Sequence, residues 1–265
     1  MTGRPRRRGR WVALAALTAA GVVVPVGGEI ASHVLRRTAD VPVTFARPVR
    51  EVRIDAGDTR AVFSAGPAGR VGLHERLTWT LARPVVRTTW AGDVLWVKVD
   101  CGRRTQVVPV LDCGADLDFR VPPGTAVTST SSSGEVAVRG LAGAVTMRTH
   151  SGTLDLAGTS GPVDFEANSG ELAATGLLAG RVVARVGSGT VRLAFADAPG
   201  SVSARAGSGE VAVTVPPGTH YRVAGSTGSG DRAVDPALPD LRAAGLLDLT
   251  TGSGSVTAGY GSGRL

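Results

Sequence analysis

Ser133-Gly-Glu-Val-Ala-Val138 and Ser208-Gly-Glu-Val-Ala-Val213 are two copies of one phrase, and the spacing of its relatives decides the fold. The Ser-Gly pair recurs with its glycine at Gly134, Gly152, Gly170, Gly189, Gly209, Gly230 and Gly254, in steps of 18, 18, 19, 20, 21 and 24 residues. Counting from each glycine, the third and fifth residues are apolar: Val136/Val138, Leu154/Leu156, Leu172/Ala174, Val191/Leu193, Val211/Val213 and Val256/Ala258. Only the Gly230 copy breaks this row, with Arg232 before Val234. Six residues before each serine runs a second apolar row: Val127, Val145, Val163, Val182, Val202, Val223 and Leu247.

Alternation at period two marks strands with one buried face. Two such strands per repeat, joined by a glycine corner, predict a single-chain β-solenoid whose coils stack about 4.8 Å apart with main-chain pairing along the axis. Each apolar row becomes an inward ladder that no coil can bury alone. The glycines suit corners with positive φ. The longer later repeats carry insertions, Pro216-Pro217-Gly218 and Val234–Ala244, expected to bulge outward between strands. Val121-Pro-Pro-Gly-Thr125 recurs as Val215-Pro-Pro-Gly-Thr219, so Gly114–Ser133 is expected to be the first coil, with Leu117, Phe119 and Val121 inside.

Upstream, residues 43–112 lose the repeat. Val49–Ile54, Ala61–Ser64, Arg70–Leu81, Val85–Trp90 and Val94–Val99 read as strands, and Trp79, Trp90, Trp96, Phe45 and Phe63 cluster there. An antiparallel β cap over the open end of the solenoid is expected, because an uncovered sheet end invites edge-to-edge pairing; an independent small domain is the alternative. The chain thus divides into a basic tail (1–10), an apolar run (11–28), a linker (29–42), the cap (43–112) and the solenoid (113–265).

The net charge of +7 is mostly a property of the tail. Arg4, Arg6, Arg7, Arg8 and Arg10 account for five, and the remaining +2 is spread over a sign-mixed chain, without the basic face a nucleic-acid binder needs. Trp11–Gly28 follows the arginines without a charge for 18 residues. Its length suits a membrane span better than the shorter core of a cleaved signal, and no convincing A-x-A site follows. An uncleaved anchor is therefore favoured over a cleaved signal peptide. The positive-inside rule would keep the arginines in the cytoplasm and send the main domain outside. Cys101 and Cys113, each in an Asp-Cys-Gly setting, then read as a disulfide. A zinc site would need further ligands, and no low-pKa environment marks a catalytic thiol.

The repeats resemble a bacterial putative-adhesin β-strand-repeat family of unknown function, common in actinobacterial membrane proteins. The resemblance rests on the SGxVxV coils, the Val-Pro-Pro-Gly-Thr entry and the upstream cysteine pair, and extends over about residues 43–260. Many members carry Asp after the Ser-Gly, where this chain has Glu, Thr or Ser and Asp only at Asp231. The resemblance implies a surface-exposed β-solenoid and no particular site.

No catalytic, cofactor-binding or metal residue emerges. The seven Ser-Gly serines recur at a structural period and read as turn residues, without a G-x-S-x-G elbow. The Gly-Ser-Gly segments are not phosphate loops, because the chain's one lysine is Lys98. His33, His74, His150 and His220 lack ligand spacing. A calcium roll needs an acid in every half-coil, whereas Glu135, Glu171 and Glu210 alternate with Thr153 and Thr190. Acids two coils, about 9.6 Å, apart cannot share one ion. The outward positions after the corner are nearly blank, which argues against a polysaccharide-cleaving β-helix. On the other sheet Arg148, Glu166, Arg185 and Arg205 are expected to stack outward as an ion ladder, or as a strip for an anionic ligand. The functional expectation is a non-enzymatic, membrane-anchored, adhesin-like scaffold without cofactors. Its partners would be the membrane and a cell-wall polymer or envelope protein. The alternative is a glycan-binding module using the arginine row or the cap aromatics.

Overall fold

The computed structural model describes residues 36–101 and 113–261. Before the cysteine loop lie β1 (Arg37–Phe45), β2 (Glu51–Gly57), β3 (Arg60–Ala65), β4 (Val71–Trp79), β5 (Val85–Ala91) and β6 (Val94–Asp100). After it come β7 (Cys113–Val121), β8 (Ala126–Ser131), β9 (Glu135–Arg139), β10 (Val145–Ala157), β11 (Val163–Leu177), β12 (Arg181–Phe195) and β13 (Ser201–Val215). Three short strands, β14 (Arg222–Ala224), β15 (Thr227–Ser229) and β16 (Arg232–Val234), precede the last, β17 (Leu246–Tyr260). The all-β solenoid is as expected: β10 to β13 stack parallel with every Ser-Gly on its equivalent, Ser151 on Ser169, Ser169 on Ser188 and Ser188 on Ser208.

The corner works by a change of phase. In β12, Val182, Ala184 and Val186 face inward before the corner, and Val191, Leu193 and Phe195 after it. Two successive exposed residues, Gly187 and Ser188, shift the alternation by one, so both half-strands bury the same side of a bent ribbon. Both predicted apolar rows are buried except at the ends, and Met147, Phe165, Ala184, Ala204 and Leu249 are buried beside them.

The glycines sit in a line with no room for a side chain. A Cβ on Gly152 or Gly170 would lie 2.7 Å from the carbonyl oxygen of the glycine one layer before, and on Gly209 it would collide with the Gly189 carbonyl. Of the seven Ser-Gly glycines, expected to have positive φ at every corner, four do: Gly189, Gly209, Gly230 and Gly254. Gly209→Ala therefore combines backbone strain with a main-chain clash. It is expected to cost at least about 2 kcal/mol, read as a lowered thermal midpoint with the β circular-dichroism signature retained below it.

Chain order and layer order differ at both ends. β17 does not follow β14–β16 in the stack; it lies between them and β13, pairing Ser253 with Ser208 on one side and with Ser229 on the other. The Gly230 coil is therefore the terminal layer. This explains its broken row: Arg232 occupies an inward register position opposite Val256, but among the described residues no layer lies beyond it. Its guanidinium reaches across the open end to the carbonyls of Leu249 and Ala224, at 3.1 and 3.3 Å. Leu238 and Tyr221, both buried, close this end further.

The N-terminal end repeats the arrangement. β2 and β3 form a complete coil, with Val52 beside Val127 and Ala61 beside Val136, interposed between β6–β7 and β8–β9. Two expectations change here. Gly114–Ser133 is not one coil: β7 closes the layer begun by β6, and β8 opens another two layers on. The 43–112 region is antiparallel only at its rim, where β1 pairs β4, β4 pairs β7 and β5 pairs β6. β1 also begins at Arg37, within the stretch expected to be linker.

The Val-Pro-Pro-Gly-Thr turns share one task, which is to step over the interposed coil. One joins β7 to β8 across the β2–β3 layer, the other β13 to β14 across β17. In each, the residue just past the interposed coil donates its N–H to the turn's valine: Gly66 to Val121 O at 2.7 Å, and Gly261 to Val215 O at 3.0 Å. At the cap, Phe45 of β1 meets Trp90 of β5 edge-on at 5.6 Å, joining the two sheet rims, with the Arg47 guanidinium 4.9 Å over the indole. β17 is paired on both edges although it comes latest in sequence among the described strands. Its amides are expected to exchange as slowly as those of β12 in a hydrogen-exchange experiment, and those of 222–234 much faster.

Candidate functional site

Among the described residues no helix is long and apolar enough to cross a membrane, and the Trp11–Gly28 run lies outside them. His33 lies outside them too. The Cys101–Cys113 disulfide is present, with Cα atoms 5.9 Å apart. It joins β6 to β7, the two halves of one layer, across residues that lie outside those described.

Apart from the buried Glu75, the charged side chains described lie on the outer faces. On the first sheet Arg148, Glu166, Arg185 and Arg205 stand in one register row. Arg148 pairs with Glu166 at 3.5 Å, and Arg205 reaches diagonally to Asp248 at 2.6 Å. Arg185 has no carboxylate within ion-pair distance among the described residues. Asp55 and Lys98, two and three strands from Arg148 toward the cap in the same row, pair at 2.9 Å; that contact raises the Lys98 pKa. The cap aromatics expected as a sugar platform are each under an arginine: Arg53 lies 5.0 Å over Trp96, which is 44% exposed, and Arg83 lies 5.5 Å over Trp79.

The second sheet is less blank than its sequence reads. Arg192 lies between Glu171 and Glu210, bonded to them at 3.0 and 2.8 Å. The two acids are two layers apart, and a guanidinium fork spans the gap that one metal ion could not. Toward the cap, Glu135, Asp155 and Glu171 come together, and Arg60 pairs with Glu135 at 3.2 Å. The Asp155 pKa is raised, first by burial and then by repulsion from Glu135 and Glu171. Its folded form then holds a proton more tightly than the unfolded chain does, so its contribution to stability is present at low pH and lost as pH rises through the raised value. Asp155→Asn is expected to raise the thermal midpoint at pH 7 and to have no effect below about pH 4, checked by melts at both pH values.

The corner serines form a line along one bend, and Ser133 Oγ donates to Asp58 at 2.6 Å. His74 is bonded to Asp40 at 3.1 Å and His150 to Asn168 at 3.0 Å, on different sheets. No group of three or more His, Cys, Asp or Glu side chains could hold a metal ion among the described residues.

Two clefts remain. One, of about 560 Å³, lies at the far end around Pro199, His220, Tyr221 and Asp240. The other, of about 490 Å³, crosses the second sheet's outer face near the cap, where Gly72, Arg120, Ser64 and Arg139 share a row. The sequence reading missed this second cleft. Its residues come from β4, β7, β3 and β9, and their adjacency depends on the interposed coil.

These features define a two-faced β-solenoid with closed ends and surface chemistry arranged in rows. The model of the Toastrack DUF4097 family matches residues 124–242, so the resemblance to a β-strand-repeat family of unknown function is borne out over that stretch. No curated protein matches the chain. Among solved structures, a "putative cell adhesion protein" from Clostridium sporogenes is 10% identical, covering 85% of this chain and 100% of its own, with a TM-score of 0.39. A "putative adhesin" from Bacteroides fragilis is 9% identical, covering 83% and 97%, at 0.40. A "putative lipid binding protein" from Parabacteroides distasonis is 12% identical, covering 84% and 96%, at 0.30.

Proposed function

We propose that this protein is a non-enzymatic, adhesin-like scaffold of the cell envelope, held at the membrane by its N-terminal segment with the solenoid on the outer side. The observation that carries the reading is the self-pairing of the faces. Arg148 with Glu166, Arg192 with Glu171 and Glu210, and Arg205 with Asp248 link successive layers. Such exposed pairs contribute little each, but they fix the outer rows along the axis of a spacer. The five arginines before an 18-residue uncharged run support the anchoring and its direction. The Toastrack match supports the class of domain and leaves its partner open.

A second reading, a module for a cell-wall polymer, draws on Arg185, the guanidinium in the arginine row that no carboxylate pairs among the described residues. Protease added to intact cells whose envelope admits it is expected to degrade the solenoid while the Arg-rich tail stays protected. An untouched solenoid would overturn the outside placement. Turnover of a wall polysaccharide by the purified full chain would overturn the non-enzymatic reading.

A further inference from the structure

We propose that the cleft across β1, β4, β7, β3 and β9 binds the acid group of a glycan between Arg120 and Arg139. Both arginines face outward and both are in register with Ser64, one from each side. Their Cα atoms are therefore two strand spacings apart, about 9.6 Å. Two guanidinium forks at that separation can close on one carboxylate or phosphate group seated over Ser64, each offering paired donors.

The floor between them is shallow in side chains. Gly72 lies in the same row on the far side of Arg120 and contributes none. Ser64 gives its proton to the Phe119 carbonyl at 3.2 Å, which leaves an acceptor for the ligand. Pro42 and Thr44 of the rim strand β1 border the cleft.

The charges around it distinguish it from the ladders. Four residues back along the same pair of strands, Arg60 is neutralised by Glu135 at 3.2 Å, and another Arg of the same face, Arg76, contacts Asp40 at 3.4 Å. Arg120 and Arg139 have no carboxylate within 4 Å among the described residues. Arg139 acts at longer range on Asp155, lowering its pKa, but neither arginine is held in a direct ion pair, and two such cations lining a cleft with a small-residue floor form a receptor for an anion.

The same surroundings narrow the ligand class. Asp118 also lines the cleft, beside His74, whose ring is already bonded to Asp40. A carboxylate there opposes a bare polyanion and suits a ligand whose hydroxyls it can accept. Glu135, four residues back on the strand of Arg139, and Asp155 and Glu171, one and two layers further along the axis, would repel a second closely spaced negative charge. A dense polyanion such as nucleic acid is excluded by the same argument, and a sugar polymer with spaced acid groups fits.

The test uses the purified full chain in detergent micelles and three probes. These are a hexasaccharide alternating glucuronate with a neutral sugar, a hexasaccharide carrying a phosphate on every second sugar, and a neutral glucose hexamer, titrated calorimetrically. At least one acidic probe is expected to bind about tenfold or more tighter than the neutral one, and whichever binds identifies the source of the acid group. Arg120→Gln with Arg139→Gln is expected to abolish that preference, Arg120→Lys to weaken it, and the Arg148/Arg185/Arg205→Gln variant to leave it unchanged. Matched thermal midpoints show that each variant is folded. Equal binding of the neutral probe, retained binding by the double Gln variant, loss confined to the Arg148-row variant, or no binding of either acidic probe would each overturn the proposal. The measurement is made in solution, so its outcome is separate from where the domain resides in the cell.

Discussion

Everything in this structure depends on the requirement that each layer meet the next in register. Parallel stacking puts like on like: serine on serine, glycine on glycine, valine on valine. At the corner this leaves no space, because the glycine of one layer lies against the carbonyl of the glycine before it. A side chain there would not be a local defect. It would separate two layers and loosen the ladders of main-chain bonds and apolar side chains on both sheets. The short steric list of allowed residues at one bend thus sets the spacing of the whole stack.

The like-on-like rule has an electrostatic cost that the outer rows resolve in two ways. Where a row would bring equal charges together, the chain alternates sign, as at Arg148 and Glu166, or places the counter-charge in the neighbouring row, as Arg192 does between Glu171 and Glu210 and Asp248 does for Arg205. Glu75 is the exception inside. It points toward the core of β4 at 8% exposure, and burial raises its pKa against the opposing pull of Arg83.

How much of this was legible in the sequence follows from how each feature is encoded. The rows through Val182 and Val191 repeat at a period close to constant, so their shared inner face could be read directly. The arginine row was legible for the same reason. The layer order was not, because an interposed coil leaves no local mark: Ser208 pairs with Ser253, with a complete Ser-Gly copy lying between them in the chain. The broken apolar position at Arg232 was visible, but its cause lies in a neighbour that is missing. The Val-Pro-Pro-Gly-Thr motif was seen twice without its purpose, since a turn's span depends on what passes beneath it. Arg120 and Arg139, 19 residues apart and separated by β3, could be brought together only by knowing where residues 60–65 return to the stack.

The interposed β17 has a consequence for how such a chain comes into being. When residues up to Val234 have emerged, the two layers that will flank β17 already exist as sequence, yet neither has its final neighbour. The seam between them is closed only when the later segment Leu246–Tyr260 enters between them. The native form therefore cannot be reached by simple layer-by-layer growth in the order of translation, and a chain interrupted before Leu246 is left with its seam unsealed.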